Sequence, residues 1–400
     1  MIEGKNLMIK RIRVQNFKSL RDIDVNLGLT NVLVGPNMSG KSNFIDAFSF
    51  LTDLVVPAGG AQSLANAMIK RGGFQELAWK GEGPTLNVIT YTLDGTAVGK
   101  QGETVEWKYH LEILGERRFG SVNVQREELS LTQSGVPLTL IGTESGHRFI
   151  NGANQKPIFQ VQDTTKLALE YELPDWEGNK IRTLIATWRF YKLIPQLMRQ
   201  ANPSAAVQVL SERGENLASW LLLLQTRYNE QFRRIVTVCR ESFPDLQDVL
   251  SWPTPQSTVY IASREKYLNS PSTAWQMSDG ELAFLALLSL VLAPAELGSP
   301  LYCVEEPENY LHPRLLSILT DLLKQVQMEL GVENCAQLII STHSPQLIDR
   351  CSIDDLLLFR RTKGATDCVR PSDNEHLKKL VNSGEIGLGD LYYSGALARA

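Results

Sequence analysis

The sequence has few cysteines and no pair of them at metal-binding spacing. Its 400 residues include five cysteines, and no two of them stand in a C-x-x-C pair. This absence argues against a metal-binding cysteine motif. An odd number of scattered cysteines indicates reduced thiols packed inside a cytosolic protein. We therefore expect a cytoplasmic location.

Membrane and coiled-coil signals are also missing. The N-terminal residues 1–5 lack the apolar core of a signal peptide, and the longest apolar stretch, residues 282–295, is too short to span a bilayer. No heptad pattern is sustained anywhere, which excludes a long coiled-coil arm. These absences indicate a protein without a membrane partner, in which the stretch 282–295 forms a buried helix.

An excess of basic charge is absent as well. The net charge is −4, so the chain as a whole lacks the electrostatic footprint of a nucleic-acid-binding protein. Short basic pairs such as Lys378-Lys379 are interpreted as solvated surface groups. The apolar fraction of 43% and the charged fraction of 21% are typical of a folded soluble protein, and the length suffices for one large domain or two ordinary ones.

The N-terminal part shows the patterns of β-strands. Apolar and polar residues alternate in segments 8–14, 23–27 and 31–34, which predicts short strands. Alternation returns between residues 85 and 150, where glycine-rich turns separate the segments. We interpret this region as an antiparallel sheet.

The rest of the chain changes its pattern twice. Residues 155–250 show mainly helical spacing, and a mixed βα pattern follows from 259 to 359. The chain is thus predicted to be an α/β protein with three parts. These are a β-rich N-terminal lobe at 1–154, a helical lobe at 155–298, and a C-terminal core with a tail at 299–400.

The strongest motif is a glycine-rich loop between a predicted strand and a predicted helix. Residues 35–42 spell G-x-x-x-x-G-K-S, directly after the apolar run 31–34 and directly before the helix-like run 43–51. This is the context of a P-loop, whose backbone N–H groups form a nest for phosphates, so we predict that the chain binds a nucleoside triphosphate. Lys41 is expected to reach the β- and γ-phosphates, and the Ser42 hydroxyl to ligate Mg²⁺. The residues predicted to bind the nucleotide here are Gly35, Pro36, Asn37, Met38, Ser39, Gly40, Lys41, Ser42 and Asn43.

Two adjacent carboxylates end a later apolar strand. Glu305 and Glu306 follow the run 301–304, and successive side chains of a strand point to opposite sides, so the two can serve different tasks. We predict that Glu305 holds Mg²⁺, directly or through water, and that Glu306 is the general base that polarises the attacking water. An exposed acidic strand end is the alternative, but burying such a pair without a cation is costly.

Two further elements are less specific on their own. Ser278-Asp-Gly-Glu281 precedes the apolar helix and could form a second phosphate site at a helix N-terminus, although a capping box explains the same residues. The apolar strand 337–342 ends at His343, which could sense a γ-phosphate. A lone histidine at a strand end is more often structural.

In their order, these four elements resemble an ABC-type ATPase of the SMC/RecF-like branch. This is the AAA_15 and AAA_21 group, which includes the OLD ("overcoming lysogenization defect") ATPases. The resemblance covers residues 8–50 and 270–350 closely and residues 188–224 more loosely. It implies a P-loop NTPase fold, namely an ABC-ATPase head with a β-rich N-terminal lobe and an inserted helical lobe, and it implies ATP and Mg²⁺ as ligands.

The resemblance carries roles to individual positions. The opening segment 14–20 resembles the family's first strand and turn, where Lys18 and Ser19 lie near the nucleotide. Residues 35–42 match its Walker A motif, and residues 305–313 match its Walker B motif and D-loop. Ser278, Asp279, Gly280 and Glu281 match its signature motif, and His343 matches its switch histidine. Lys41, Glu306 and His343 are thereby implied to be catalytic.

The sequence also departs from related patterns. Met277-Ser-Asp-Gly-Glu281 differs from the Leu-Ser-Gly-Gly-Gln of membrane transporters, which argues against a transporter subunit. No clear Q-loop glutamine is present, and Gln75 is our candidate for that metal-site residue. OLD nucleases carry a C-terminal Toprim domain, but only 57 residues follow His343 here, so Asp354-Asp355 is interpreted as a helix start rather than a nuclease site.

The resemblance further implies a head-to-tail homodimer that encloses two ATP molecules between Walker A of one subunit and the signature motif of the other. ATP would act as a switch, because it binds the closed dimer far better than the open monomer. Whether dimers form a higher oligomer is left open.

One functional hypothesis is a switch in DNA transactions or anti-phage defence that acts through a separate effector such as a nuclease. Alternatives are a RecF-like repair or clamp ATPase that grips DNA directly, which the acidic charge disfavours, and a nucleotide-bound scaffold with negligible turnover.

Overall fold

The structure is a computed structural model that describes residues 7–56, 63–81, 87–99, 103–116, 121–133, 135–205, 207–331, 334–382, 386–395 and 397. The strands are β1 (Met8–Phe17), β2 (Leu20–Asn26), β3 (Thr30–Val34), β4 (Val88–Val98), β5 (Thr104–Gly115), β6 (Val122–Gln133), β7 (Val136–Glu144), β8 (His147–Asn151), β9 (Pro157–Val161), β10 (Arg189–Tyr191), β11 (Asn202–Pro203), β12 (Leu246–Pro253), β13 (Thr258–Glu265), β14 (Ser272–Thr273), β15 (Leu301–Glu305), β16 (Gln337–Thr342), β17 (Leu356–Thr362) and β18 (Ala365–Val369). The helices are α1 (Lys41–Val55), α2 (Ser63–Ile69), α3 (Phe74–Leu77), α4 (Gly178–Ala186), α5 (Pro195–Met198), α6 (Leu217–Arg227), α7 (Asn229–Ser242), α8 (Asp279–Val291), α9 (Pro313–Leu330), α10 (Pro345–Ile348), α11 (Glu375–Asn382) and α12 (Leu388–Tyr393).

The N-terminal part contains an eight-stranded antiparallel sheet with the order β2-β1-β4-β5-β6-β7-β8-β9. The alternation in the sequence becomes alternating burial, most regularly along β4 and β5. This pattern arises because successive side chains of a strand point to opposite faces. The antiparallel sheet predicted for residues 85–150 is confirmed, and β1 and β2 extend it.

A second, six-stranded sheet forms the core, with the order β10-β15-β16-β3-β17-β18. Its first five strands run parallel, and only β18 is antiparallel to its neighbour β17. The strands that carry the predicted Walker A and Walker B motifs, β3 and β15, lie on either side of β16. The carboxyl ends of these strands therefore meet at one edge of the sheet.

Helix α1 is packed between the two sheets by aromatic side chains. Phe44 contacts Phe359 of the core sheet, with ring centroids 5.3 Å apart, and Phe50 stacks on Tyr91 of the antiparallel sheet at 6.2 Å. All four rings are fully buried. Burial of large aromatic surfaces on both sides of the helix fixes its position, and with it the position of the loop that precedes it.

Helices α2 to α4 pack with α1 in one hydrophobic cluster, and helices α5 to α12 pack in a second one. Helix α8 is apolar on nearly every side, and residues 282–288 are buried among α5, α7 and α9. The predicted buried helix is therefore present, although α8 ends at Val291, before the predicted stretch does. Among the described residues, no helix is both long and apolar enough to cross a membrane.

The helices predicted between residues 155 and 250 are present as α4 to α7, but strands also occur in this region. Strand β9 belongs to the antiparallel sheet, β10 joins the core sheet beside β15, and β12 pairs with β13. Both β9 and β10 thus lie inside the predicted helical lobe at 155–298 but belong to sheets outside it. Strands β9 and β10 are short, with five and three residues, so long-range pairing rather than local pattern decides them.

Candidate nucleotide site

The register of the core sheet collects the predicted residues at one edge. The paired residues at this edge are Tyr191 with Val304, Glu305 with Ser341, and Thr342 with Val34. The residues that follow these strands are consequently neighbours: Lys192, Glu306, His343 and Gly35. In open α/β sheets, ligands bind in the crevice outside the carboxyl ends of the strands, and this edge is such a crevice.

Two glycines of the P-loop are required by close contacts. A Cβ at Gly35 would lie 2.2 Å from the Phe359 carbonyl oxygen, and one at Gly40 would lie 2.0 Å from Thr366 Oγ1. Gly40 also has a left-handed φ of 107°, which glycine adopts without strain. Between them, residues 36–38 are exposed, whereas Ser39 is buried. The loop is thus tightly packed at Gly35 and Gly40, and exposed to solvent at residues 36–38.

Lys41 is folded back onto its own loop. Its Nζ donates to the carbonyl oxygens of Gly35 at 2.8 Å and Pro36 at 3.2 Å. Burial lowers the pKa of Lys41, and the charges of Glu306 and Glu308 oppose this shift. Helix α1 begins at this residue without a side-chain cap, so its first N–H groups are open to an anion.

The predicted metal ligands are in direct contact. Ser42 Oγ donates to Glu305 Oε2 at 2.8 Å, although 263 residues separate the two in the chain. A hydroxyl and a carboxylate are hard oxygen ligands of the kind that Mg²⁺ prefers, and Mg²⁺ usually takes one or two carboxylates plus phosphates and water. No group of three or more His, Cys, Asp and Glu within the described ranges is arranged to hold a metal alone. These residues therefore fit Mg²⁺ held jointly with a nucleotide.

Glu306 has a strained backbone and lies beside His343. Its φ of 46° is left-handed, which is uncommon for a residue with a Cβ and is often found at functional sites. Its Oε2 accepts from Asn309 Nδ2 at 2.9 Å, and its Oε1 lies 3.7 Å from His343 Nε2. The two side chains are about two-thirds buried, at 32% and 31% exposure. A water molecule at this edge could contact both.

Glu308 is a site residue that the sequence motifs left without a role. Its Oε1 accepts from Thr342 Oγ1 and from the His343 N–H, both at 2.7 Å. This carboxylate therefore ties the loop after β15 to the end of β16 and sets the position of His343. The available signal was its place within Glu305-Glu306-Pro-Glu308, three residues after the predicted metal ligand.

The surroundings of His343 favour a neutral imidazole. Partial burial lowers the pKa of His343 from 6.5, and the charge of Lys41 lowers it further. Glu306 and Glu308 raise it, but they do not reverse the shift. A neutral ring keeps one nitrogen that donates and one that accepts.

The opening turn contacts the start of α1. Lys18 Nζ pairs with Asp46 at 2.7 Å, and Ser19 Oγ accepts from Asn43 Nδ2 at 2.7 Å. Ser19 also bonds Thr366 Oγ1, the same hydroxyl that closes over Gly40. Lys18, Ser19 and Asn43 are thus brought together beside the P-loop.

The Ser278–Glu281 segment is a capping box in this structure. Ser278 Oγ accepts from the Glu281 N–H at 3.2 Å, and Glu281 Oε2 accepts from the Ser278 N–H at 2.7 Å. Asp279 accepts from Gln196 Nε2 at 2.9 Å and from Arg199 Nη2 at 2.8 Å. In the part of the chain that the structure describes, no hydrogen bond or ion pair joins residues 278–281 to residues 35–43.

The metal-site role of Gln75 stays a prediction. Gln75 lies on the exposed side of α3, and this segment is bonded to the end of β1 through Lys18 N–H and the Leu77 carbonyl. Lys192 stands beside Glu305, with Nζ 3.8 Å from Oε2. Lys192 follows a three-residue strand that the sequence patterns did not reveal.

Comparisons with known proteins agree with this geometry. Residues 8–66 match the family described as "AAA ATPase domain", and residues 178–349 match the family described as "AAA domain, putative AbiEii toxin, Type IV TA system". The chain is also similar to an OLD nuclease of Thermus scotoductus, at 24% identity over 398 residues, which covers 95% of this chain and 68% of that protein.

Solved structures show the same fold. The SMC head bound to the C-winged helix domain of ScpA aligns with a TM-score of 0.54 at 14% identity, covering 90% of this chain and 96% of that one. An SMC head with an extended coiled coil, bound to the C-terminal domain of ScpA derived from Pyrococcus furiosus, aligns with a TM-score of 0.54 at 14% identity, covering 94% and 100%. The fold is therefore that of an ABC-ATPase head, and its domains imply nucleotide binding. With its P-loop and its paired glutamates, the chain is therefore similar to AAA-type ATPase domains and to an OLD nuclease, and it has the fold of SMC heads.

Proposed function

We propose that this protein is a switch ATPase that binds and hydrolyses ATP with Mg²⁺ and closes into a head-to-tail homodimer when ATP is bound. The observation that carries the proposal is the contact between Ser42 and Glu305 at the same sheet edge as the pair of Glu306 and His343. Residues far apart in sequence meet there, and their chemical types are those that phosphoryl transfer to water uses.

Each side chain at this edge has a separate proposed role in ATP hydrolysis. Lys41 exchanges its two loop carbonyls for phosphate oxygens, because a charge-assisted bond to phosphate is stronger than one to a neutral carbonyl. Ser42 and Glu305 would hold Mg²⁺, and the ion would neutralise charge on the phosphates. Glu306 accepts the proton of the attacking water, while neutral His343 orients that water or the γ-phosphate.

The second half of the site is proposed to come from another copy. The signature segment does not contact the P-loop of its own chain within the described residues, so its phosphate-binding role requires a partner's nucleotide. Asp279 would repel that nucleotide if its charge were free. Arg199 and Gln196 compensate it, which leaves the N-terminus of α8 able to meet an anion.

Turnover by wild type and by Glu306→Gln tests the proposal. Removal of a general base typically lowers kcat by about 10²–10⁴-fold, and we expect such a loss with Mg-ATP affinity retained. Glu329→Gln, on the exposed surface of α9, is the matched control and should hydrolyse ATP like wild type. A turnover rate that is unchanged in Glu306→Gln would refute the assignment and favour a scaffold that holds nucleotide.

The biological setting is proposed to be DNA transactions or anti-phage defence, in which the protein acts through a separate effector such as a nuclease. Direct contact with DNA is the alternative. The support is the similarity to an OLD nuclease and to SMC heads bound to ScpA domains. Affinity purification from a host that expresses the native locus, with Glu306→Gln as bait and Mg-ATP present, should recover a partner. Recovery of the bait alone in repeated purifications contradicts this part.

A further inference from the structure

Helix α12 packs beside the loop that carries His343. It lies against α10, which begins two residues after that histidine. The N–H of Gly389 donates to Asp349 Oδ1, at the end of α10, at 2.6 Å. Three leucines of this segment are buried in the second hydrophobic cluster: Leu388, Leu391 and Leu397. The helix is thus fixed next to the nucleotide site.

The approach of α12 to α10 is too close for a side chain at two glycine positions. A Cβ at Gly389 would lie 2.6 Å from the Pro345 carbonyl oxygen and 2.7 Å from Asp349 Oδ2. A Cβ at Gly387 would lie 2.8 Å from Asp349 Oδ1. This tight fit orients the helix, and with it the side chains that follow Gly389.

Docking of α12 brings the phenol of Tyr392 to the P-loop. Burial raises the pKa of Tyr392, a hydrogen bond from the Gly35 backbone lowers it, and the charge of Glu308 raises it. A bond that lowers this pKa stabilises the phenolate, so the Gly35 N–H is the donor and the phenol oxygen accepts. Tyr392 therefore touches the first residue of the P-loop and lies within electrostatic reach of Glu308.

Glu308 has one carboxylate oxygen that needs a donor. Its Oε1 accepts from Thr342 Oγ1 and from the His343 N–H, whereas its Oε2 is buried and has no partner within the described residues. A buried acceptor without a donor is costly. A phenol that accepts one hydrogen bond still has its own O–H to donate, so Tyr392 offers the donor that Glu308 lacks.

Lys41 is the other donor whose charge acts on this carboxylate, but it is engaged elsewhere. Its Nζ donates to the carbonyls of Gly35 and Pro36. In the proposed reaction it leaves them for phosphate oxygens instead of Glu308. The Tyr392 hydroxyl stays beside Glu308 in both states.

We propose that Tyr392 is a positioning residue of the nucleotide site, which accepts from Gly35 and donates to Glu308 Oε2, directly or through one water molecule. Tyr392 thereby fixes the P-loop relative to the carboxylate that places His343. The inference rests on the proposed function, because it assumes that His343 acts on bound ATP. The hydroxyl is expected to matter for hydrolysis more than for affinity, since the N–H groups that cradle phosphates belong to the residues after Gly35.

Kinetics of Tyr392→Phe, which removes only the hydroxyl, test this role. We expect kcat for ATP hydrolysis to fall about tenfold through loss of one hydrogen bond to a charged group, while the Kd for Mg-ATP stays close to that of wild type. Tyr393→Phe is the matched control, because Tyr393 is the next residue and is 86% exposed. It should match wild type in both quantities. A wild-type kcat in Tyr392→Phe would overturn the proposal.

A second background shows whether Tyr392 acts through Glu308. In Glu308→Ala the hydroxyl has no carboxylate to bond, so adding Tyr392→Phe should change kcat little. The same tenfold loss in both backgrounds would overturn the route through Glu308.

Hydrogen exchange without nucleotide tests the same contacts and needs no turnover. Peptides that contain the N–H groups of Gly35 and His343 should exchange about tenfold faster in Tyr392→Phe than in wild type, and Tyr393→Phe should match wild type. Unchanged exchange at both places would overturn the proposal.

These measurements separate this inference from the proposed function. Wild type that hydrolyses no ATP refutes the proposed function, and the exchange comparison still decides for or against the contacts of Tyr392. Wild type that hydrolyses ATP while Tyr392→Phe behaves like Tyr393→Phe refutes this inference alone.

Discussion

Single residues at the sheet edge are held by neighbours that a nucleotide must replace. Lys41 bonds its own loop, Ser42 bonds Glu305, and Ser278 bonds Glu281. Each of these bonds satisfies a polar group that would otherwise lack a partner. Without nucleotide, these side chains therefore bond one another or their own loop. When phosphate and metal bind, the side chains exchange these partners for the ligand, and few hydrogen bonds are lost.

The lowered pKa of His343 leads to a prediction about how the stability of the protein depends on pH. The unfolded ring titrates near 6.5, and the folded pKa lies lower because of burial and Lys41. The unfolded state therefore binds more protons between these two values, so His343 costs stability as the pH falls below 6.5 and toward the folded pKa. We expect His343→Gln to lose less stability than wild type between pH 7.5 and 5, as measured by urea unfolding.

The comparison isolates one group, because the other titrating groups are shared by both proteins. Equal losses in stability for wild type and His343→Gln over this range would show that the folded pKa of His343 is not lowered. Gln is chosen because its amide preserves one donor and one acceptor at the position.

At the scale of elements, α2 is fastened to α1 by Arg71 just beyond its end. Its guanidinium bonds Asp46 at 2.9 Å and Asp53 at 2.7 Å and lies over the Phe50 ring, while only 6% of the side chain is exposed. Asp46 also pairs with Lys18 of the opening turn. One buried cation thereby links α1, α2 and the turn beside the P-loop.

Arg71→Met should consequently lower the free energy of unfolding by about 3 kcal/mol, because it leaves two half-buried carboxylates short of a partner. The neighbouring Lys70 also pairs with Asp53, but it is 57% exposed, and Lys70→Met should cost less than about 1 kcal/mol. Urea unfolding of the two variants measures the difference. Similar losses in both would contradict the structural role of Arg71.

The elements that could be predicted are those whose sequence signal lies within a few neighbouring residues. The P-loop, the strand that ends in Glu305 and Glu306, and the capping serine of α8 each carry their signal within about ten residues. The three-residue β10 carries none, because its pairing with β15 is decided by the sheet. The contacts of Lys192 with Glu305 and of Arg199 with Asp279 could not be predicted from the sequence for the same reason, since each joins residues about 80 or more positions apart.

At the scale of the whole molecule, the two halves of the proposed site lie apart in one chain. The P-loop lies at the edge of the core sheet, and the signature segment starts α8 in the second hydrophobic cluster. A second copy turned head to tail would bring them together around ATP. Moving such an equilibrium from mostly open to mostly closed needs about 5 kcal/mol of differential binding, which two triphosphates contacted by both subunits can supply.

The most direct test of this account is the light-scattering mass of Glu306→Gln with and without Mg-ATP, beside the same protein that also carries Ser278→Arg. We predict that ATP doubles the mass of Glu306→Gln and that Ser278→Arg abolishes the doubling while Mg-ATP still binds. Binding of Mg-ATP by Glu306→Gln with a mass that ignores both ATP and Ser278→Arg would contradict the account, because the signature segment would then be only a helix cap.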